Sequence, residues 1–228
     1  MMWGFPFFLG PSLLILLPAV AFALYAQWKV RSTYARYARV ESAARVTAEA
    51  TARRLLEGAA VQDVKIEATS RRLSDHYDPR HRILRLSAPD SVSIAAIGVA
   101  AHEAGHAVQH ARAYAPLAIR TAILPAANFG SQLALPLLLV GLFARYQPLI
   151  TAGIVAFSVA VLFTLMTLPV EFDASRRAVA ALRNTVLISE EEIGAVKEVL
   201  FAAALTYVAA AAMAALQLVM LLSLGRRR

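Results

Sequence analysis

The stretch Ser93-Ile94-Ala95-Ala96-Ile97-Gly98-Val99-Ala100-Ala101-His102-Glu103-Ala104-Gly105-His106-Ala107-Val108-Gln109-His110 decides how the rest of the chain is read. Within it, His102-Glu103-Ala104-Gly105-His106 has the H-E-x-x-H pattern. On a helix, residues four apart lie roughly 40° apart on one face, so the two imidazoles can share one Zn²⁺. Glu103 falls on the neighbouring flank, close enough to take a proton from a zinc-activated water without replacing it. Eight apolar or glycine residues precede His102, and Ala107 and Val108 follow His106. A buried helix that matched the pattern by coincidence would have to bury two histidines and a glutamate without partners, which is costly.

Composition sets the surroundings of this helix. Of the 228 residues, 59% are hydrophobic, against about 45–50% in ordinary soluble domains. Mean hydropathy is +0.57, so membrane insertion is expected, with the lipid bilayer as a partner. The net charge of +8 comes from basic residues beside hydrophobic runs. No nucleic-acid motif accompanies them, so they read as membrane-orienting charge and no nucleic-acid partner is expected. With no cysteine, disulfides are excluded and any zinc must be held by histidines and carboxylates.

The first apolar run, residues 3–28, is long enough to span a bilayer, with Trp3, Tyr25 and Trp28 suited to its interfaces. It lacks the basic start of a signal peptide and is followed at once by Lys29, Arg31, Arg36 and Arg39, so it reads as a retained anchor with its N-terminus outside. From Lys29 to about Leu56 the Ala- and Arg-rich sequence, free of Pro and Gly, predicts a helix ending at Gly58. Residues 62–68 and 81–87 alternate polar and apolar and read as strands of a small sheet beside the metal helix. Between them Ser74–Arg80 is turn-rich. An exposed edge strand of such a sheet can bind an extended peptide.

Ser91 is the expected N-cap of the H-E-x-x-H helix, which should run to about Ala113. A second apolar region covers 122–143, and its Asn128, Ser131 and Gln132 suit hydrogen bonding between helices. A third runs from Leu149 to Leu168 and ends at Pro169. Ser189 and Glu192 form a candidate capping box opening a helix that merges into a fourth apolar run, ending at Leu224. Segments 29–121 and 170–198 carry 19 of the 23 Lys and Arg, so both should face the cytoplasm. Four spans with an outside N-terminus satisfy that count, although they leave Arg226–Arg228 outside.

A catalytic zinc takes three protein ligands and an open position. His110 lies about 80° round the helix from His102 and two turns away, a poor third ligand. A metzincin is excluded, because Gln109 and Arg112 stand where that class needs glycine and histidine. Glu171 and Asp173 remain, carboxylates just past the end of a span, where charge calls for a partner. For Asp173 that partner could instead be Arg176 or Arg177.

The motifs Ser74-Asp-His-Tyr-Asp-Pro-Arg80, Leu84-Arg-Leu-Ser87, Ser93 to Gln109, and Leu168-Pro-Val-Glu-Phe-Asp-Ala-Ser-Arg-Arg177 together resemble the YugP-like family of bacterial membrane zinc metallopeptidases. That family is similar to the gluzincins of the CAAX prenyl protease and heat-shock membrane protease group. The resemblance implies one Zn²⁺ held by His102, His106 and Glu171, with Glu103 as general base. The relatives place an Asp four residues after the ligand Glu; here Ser175 stands there, and Asp173 becomes a supporting carboxylate and the alternative ligand. His76 and the turn at Tyr77–Arg80 are candidates for a further donor to the oxyanion.

The expected protein is thus a mostly α membrane protein of about four transmembrane helices with a zincin-like cytoplasmic α+β catalytic region. Its layout is transmembrane helix 1 at 3–28, a cytoplasmic helix, small sheet and H-E-x-x-H helix at 29–121, and transmembrane helices 2 and 3 at 122–168. A cytoplasmic helix with the third zinc ligand follows at 169–198, and transmembrane helix 4 at 199–224. The activity it implies is hydrolysis of peptide bonds in membrane or membrane-proximal protein substrates, at the cytoplasmic side of the bacterial inner membrane.

Overall fold

The computed structural model describes residues 11–70, 74–185 and 188–226, with side chains from residue 14 to 223. The first part of the expected span at 3–28, and the end of the basic stretch Arg226–Arg228, lie outside the described residues. In chain order the elements are α1 (Pro11–Tyr37), α2 (Ala48–Gly58), β1 (Lys65–Ala68), β2 (His76–Asp78) and β3 (Ile83–Leu86), followed by α3 (Ile94–Ala111), α4 (Ala115–Phe143), α5 (Gln147–Asn184) and α6 (Glu190–Arg226). Four of the described helices are long and apolar enough to cross a membrane: Leu14–Tyr37, Ala115–Phe143, Gln147–Asn184 and Glu190–Ser223.

The chain divides into two compact units. One holds the residues up to Gln27, Ile119–Leu168 and those from Thr206 on. Its helices turn large apolar side chains outward, among them Leu14, Phe129, Leu135, Phe143, Val155 and Leu162. That distribution suits hydrocarbon surroundings and is inverted for water. Packing within the unit uses small residues. A Cβ at Gly130 would lie 2.6 Å from the Ala156 carbonyl oxygen, and one at Gly141 2.8 Å from the Ile150 nitrogen, so α4 and α5 meet backbone to backbone. Ser131 donates to the Asn128 carbonyl of its own helix, not to a neighbouring one.

The other unit comprises Trp28–Ala118 and Pro169–Leu205. Its central element is α3, whose Ala- and Gly-rich faces are buried almost all round. Ser93, not Ser91, is the N-cap, its Oγ accepting from the Ala96 N–H; Ser91 Oγ instead accepts from the Ser93 N–H and donates to Ser93 Oγ. Helix α2 packs on α3 through Ala48, Thr51, Ala52, Leu55 and Leu56, the apolar stripe of an amphipathic helix, with Arg53, Arg54 and Glu57 outward. The sheet order is β1-β3-β2, with β1 parallel and β2 antiparallel to β3. Leu84 and Leu86 of β3 are fully buried in the core with Ile94 and Ile97.

Three further local expectations change. The helix expected from Lys29 to Leu56 breaks after Tyr37 and resumes at Ala48. In the gap the Ser42 N–H donates to the Val92 carbonyl, the Ile94 N–H donates to the Val40 carbonyl, and Arg45 adopts a φ of 49°. Pairing with the segment before α3 overrides the helical propensity of this stretch. Strand β2 lies inside the stretch read as turn: the turn itself is at 79–82, with the Asp78 carboxylate accepting from the Arg80 and His81 N–H groups. Helix α5 runs through Pro169 unbroken. The capping box forms, with Glu192 Oε2 accepting from Ser189 N–H and Ser189 Oγ accepting from Glu192 N–H; Glu192 Oε1 also takes the Ala43 N–H.

The closest approach in this unit is at Gly105, where a Cβ would meet the Ala174 carbonyl oxygen at 2.6 Å. Backbone cannot yield there as a flexible side chain would. Replacing Gly105→Ala should therefore cost about 1–3 kcal/mol through overpacking and lower the thermal midpoint of the detergent-solubilised protein. Gly194→Ala, where nothing lies within 4 Å, should leave the midpoint unchanged or raise it by the equivalent of about 0.5–1 kcal/mol. Equal midpoints for the two variants would contradict the contact.

Candidate metal centre

The contact between Gly105 and Ala174 brings the middle of α3 against the last third of α5, and three polar side chains converge beside it. His102 and His106 come from successive turns of α3, as their spacing dictates. Glu171 comes from α5. One ligand atom from each lies within 4.8 Å of the others. Glu171 Oε2 is 3.1 Å from His102 Nε2 and 3.5 Å from His106 Nε2. The imidazoles stand edge to face, at 82° with centroids 4.7 Å apart. Glu171 is 3% exposed and His106 9%.

These distances suit a metal. Tetrahedral ligands at about 2.0–2.2 Å from a shared zinc lie about 3.3–3.5 Å from one another, close to the separations found here. The donor set, two nitrogens and one carboxylate oxygen, is also that of a three-ligand zinc site. The local field favours positive charge. Burial alone would depress the His106 imidazole, but its hydrogen bond to the Glu171 carboxylate and the charges of Glu103 and Glu171 leave its pKa raised. Positive charge is favoured at this cluster, and a divalent cation would supply it.

Glu103 is buried on the neighbouring flank of α3, and its Oε2 accepts the Tyr77 backbone N–H of β2 at 2.9 Å. The sheet edge thus fixes one carboxylate oxygen. His110 is not in the cluster: its Nδ1 meets the Tyr77 hydroxyl at 2.9 Å. Burial, and secondarily the Asp78 charge, push the Tyr77 phenol up to about 12, so it stays protonated at neutral pH. His76 is exposed, with Nδ1 near the Ser74 carbonyl and Nε2 near Arg85.

Asp173, the alternative ligand, is 4% exposed and is engaged by Arg176, Arg177 and Gln109. It is not part of the three-residue cluster. Two further contacts had no sequence signal strong enough to single them out. Ser175 Oγ lies 3.1 Å from His102 Nδ1, and the fully buried Gln109 places Oε1 3.0 Å from His106 Nδ1. The available hint was Gln109 itself, an amide three residues after a candidate ligand on an otherwise apolar helix.

Comparison with known proteins agrees with this chemistry. No solved structure matches the chain. A curated relative, "Putative membrane protease YugP" of Bacillus subtilis (strain 168), is 46% identical over 195 residues, covering 85% of this chain and 87% of that protein. Residues 12–226 match a family described as "Putative neutral zinc metallopeptidase". With a family match over nearly the whole sequence and that identity along most of both chains, the protein belongs to this zinc metallopeptidase family.

Proposed function

We propose that the protein is an integral membrane zinc metalloendopeptidase of gluzincin type that cleaves membrane or membrane-proximal proteins, using one Zn²⁺. The observation that carries this reading is the convergence of His102, His106 and Glu171, from helices far apart in sequence, in a member of a zinc metallopeptidase family. Zinc held by these residues would supply a Lewis acid that polarises a peptide carbonyl and acidifies a water molecule. Glu103 accepts that water's proton and delivers it to the leaving amine. With Oε2 anchored on the Tyr77 N–H, Oε1 is the oxygen left for proton transfer.

Strand β2 supports the way a substrate would be presented. It is an edge strand, paired with β3 on one side. A protein segment extended along its other side would add to the sheet and run past Glu103. The basic residues of 29–121 and 170–198 support an active site on the cytoplasmic side of the bacterial inner membrane. An idle scaffold with a structural metal would need a closed shell of four ligands. The engagement of His110 by Tyr77 speaks against it as that fourth donor.

Two measurements on the full-length protein in detergent test the reading. Glu103→Gln should retain zinc while hydrolysis of a peptide library falls by about 10²–10⁴-fold; cleavage at the wild-type rate would exclude Glu103 as base. Glu171→Ala should lose zinc, and Asp173→Ala should hold it better. Retention by Glu171→Ala together with loss by Asp173→Ala would reverse the ligand assignment.

A further inference from the structure

Gln109 sits at a junction that determines how it is oriented. Its side chain is fully buried, and its Nε2 lies 2.8 Å from the Val170 carbonyl oxygen and 2.9 Å from Asp173 Oδ2. A backbone carbonyl and an ionised carboxylate accept hydrogen bonds and cannot donate them. Both amide hydrogens of Gln109 are therefore used, and the amide cannot turn over without placing its oxygen against two acceptors. Its Oε1 then faces His106 Nδ1 at 3.0 Å as an acceptor only. His106 must donate from Nδ1, so the neutral imidazole carries its lone pair on Nε2, the nitrogen that faces Glu171 and the metal cluster. Ser175, the partner of His102 Nδ1, imposes no such choice, because a hydroxyl donates or accepts equally.

Asp173 is held in turn. Arg176 donates to its Oδ1 and Arg177 to its Oδ2. We propose that Gln109, oriented by Asp173 and the Val170 carbonyl, is a positioning residue that locks His106 in the tautomer and ring orientation needed to bind the metal through Nε2. This rests on the ligand set of the proposed metallopeptidase. It gives Asp173 a task distinct from ligation: its charge sets the polarity of an amide that sets the polarity of an imidazole. Partners of this kind typically control metal affinity by about 10–100-fold.

The test is zinc affinity of the full-length protein, by competition with a chelator, together with the visible spectrum of the cobalt(II)-substituted protein. Gln109→Leu should bind zinc 10–100-fold more weakly and shift the cobalt bands. Gln109→Glu keeps an acceptor for His106 but sets a second negative charge against Asp173, and should also bind weakly. Adding Asp173→Asn to Gln109→Glu removes the second charge and supplies an amide donor to that carboxylate, and should recover part of the affinity, because a carboxylate oxygen still faces the Val170 carbonyl. This pair of variants carries the test if Gln109→Leu does not fold. Affinity and spectrum unchanged in Gln109→Leu, or no recovery in the double variant, would overturn the role of Gln109 and leave the ligand assignment standing. Absence of zinc binding by the wild-type chain would overturn both.

Discussion

The meeting of His102, His106 and Glu171 depends on a missing side chain. Helix α3 can present two imidazoles to one carboxylate of α5 because Gly105 carries no Cβ at the point where Ala174 crosses it. Packed helices ordinarily stand about 8–10 Å apart, and any side chain at Gly105 would push α5 away. Gly98 repeats the device a little less tightly: a Cβ there would lie 3.3 Å from a Val196 methyl, where the start of α6 packs. The apolar small residues of the motif helix are therefore not filler between its polar groups. They determine how near the neighbouring helices come, and so whether the polar groups meet.

Two acidic residues separated by one position, both almost fully buried, meet different fates on α5. Asp173 is neutralised by two arginines and an amide, a self-contained arrangement in which each carboxylate oxygen has donors. Glu171 faces two imidazoles that are neutral when they serve as ligands. The first arrangement is a carboxylate paired with arginines, and the second is one of three donors that could hold an ion.

Much of this could be read from the residues alone. The H-E-x-x-H spacing, the apolar runs and the carboxylates just past one of them are local patterns, and they nominate His102, His106, Glu171 and Asp173 together. Residue type could not separate Glu171 from Asp173, since that depends on which face of α5 meets α3. Gln109 was hidden because a glutamine on a helix looks like surface, and its burial arises only when α5 packs over it. Strand β2 is three residues long, too short for alternation to register, and its last residue also opens a turn. The break between α1 and α2 is set by hydrogen bonds to residues about fifty positions later, beyond the reach of helical propensity.

The cluster is also divided along the chain. Its histidines precede all of α4 and most of α5, and Glu171 follows them. A ribosome that has released α3 has made His102, Glu103 and His106, but not Glu171. Helix α6, whose Glu192 takes the Ala43 N–H, is later still. The centre thus cannot close on a nascent chain until two long apolar helices have been synthesised. Order of synthesis would keep such a hydrolase silent until those helices have been made.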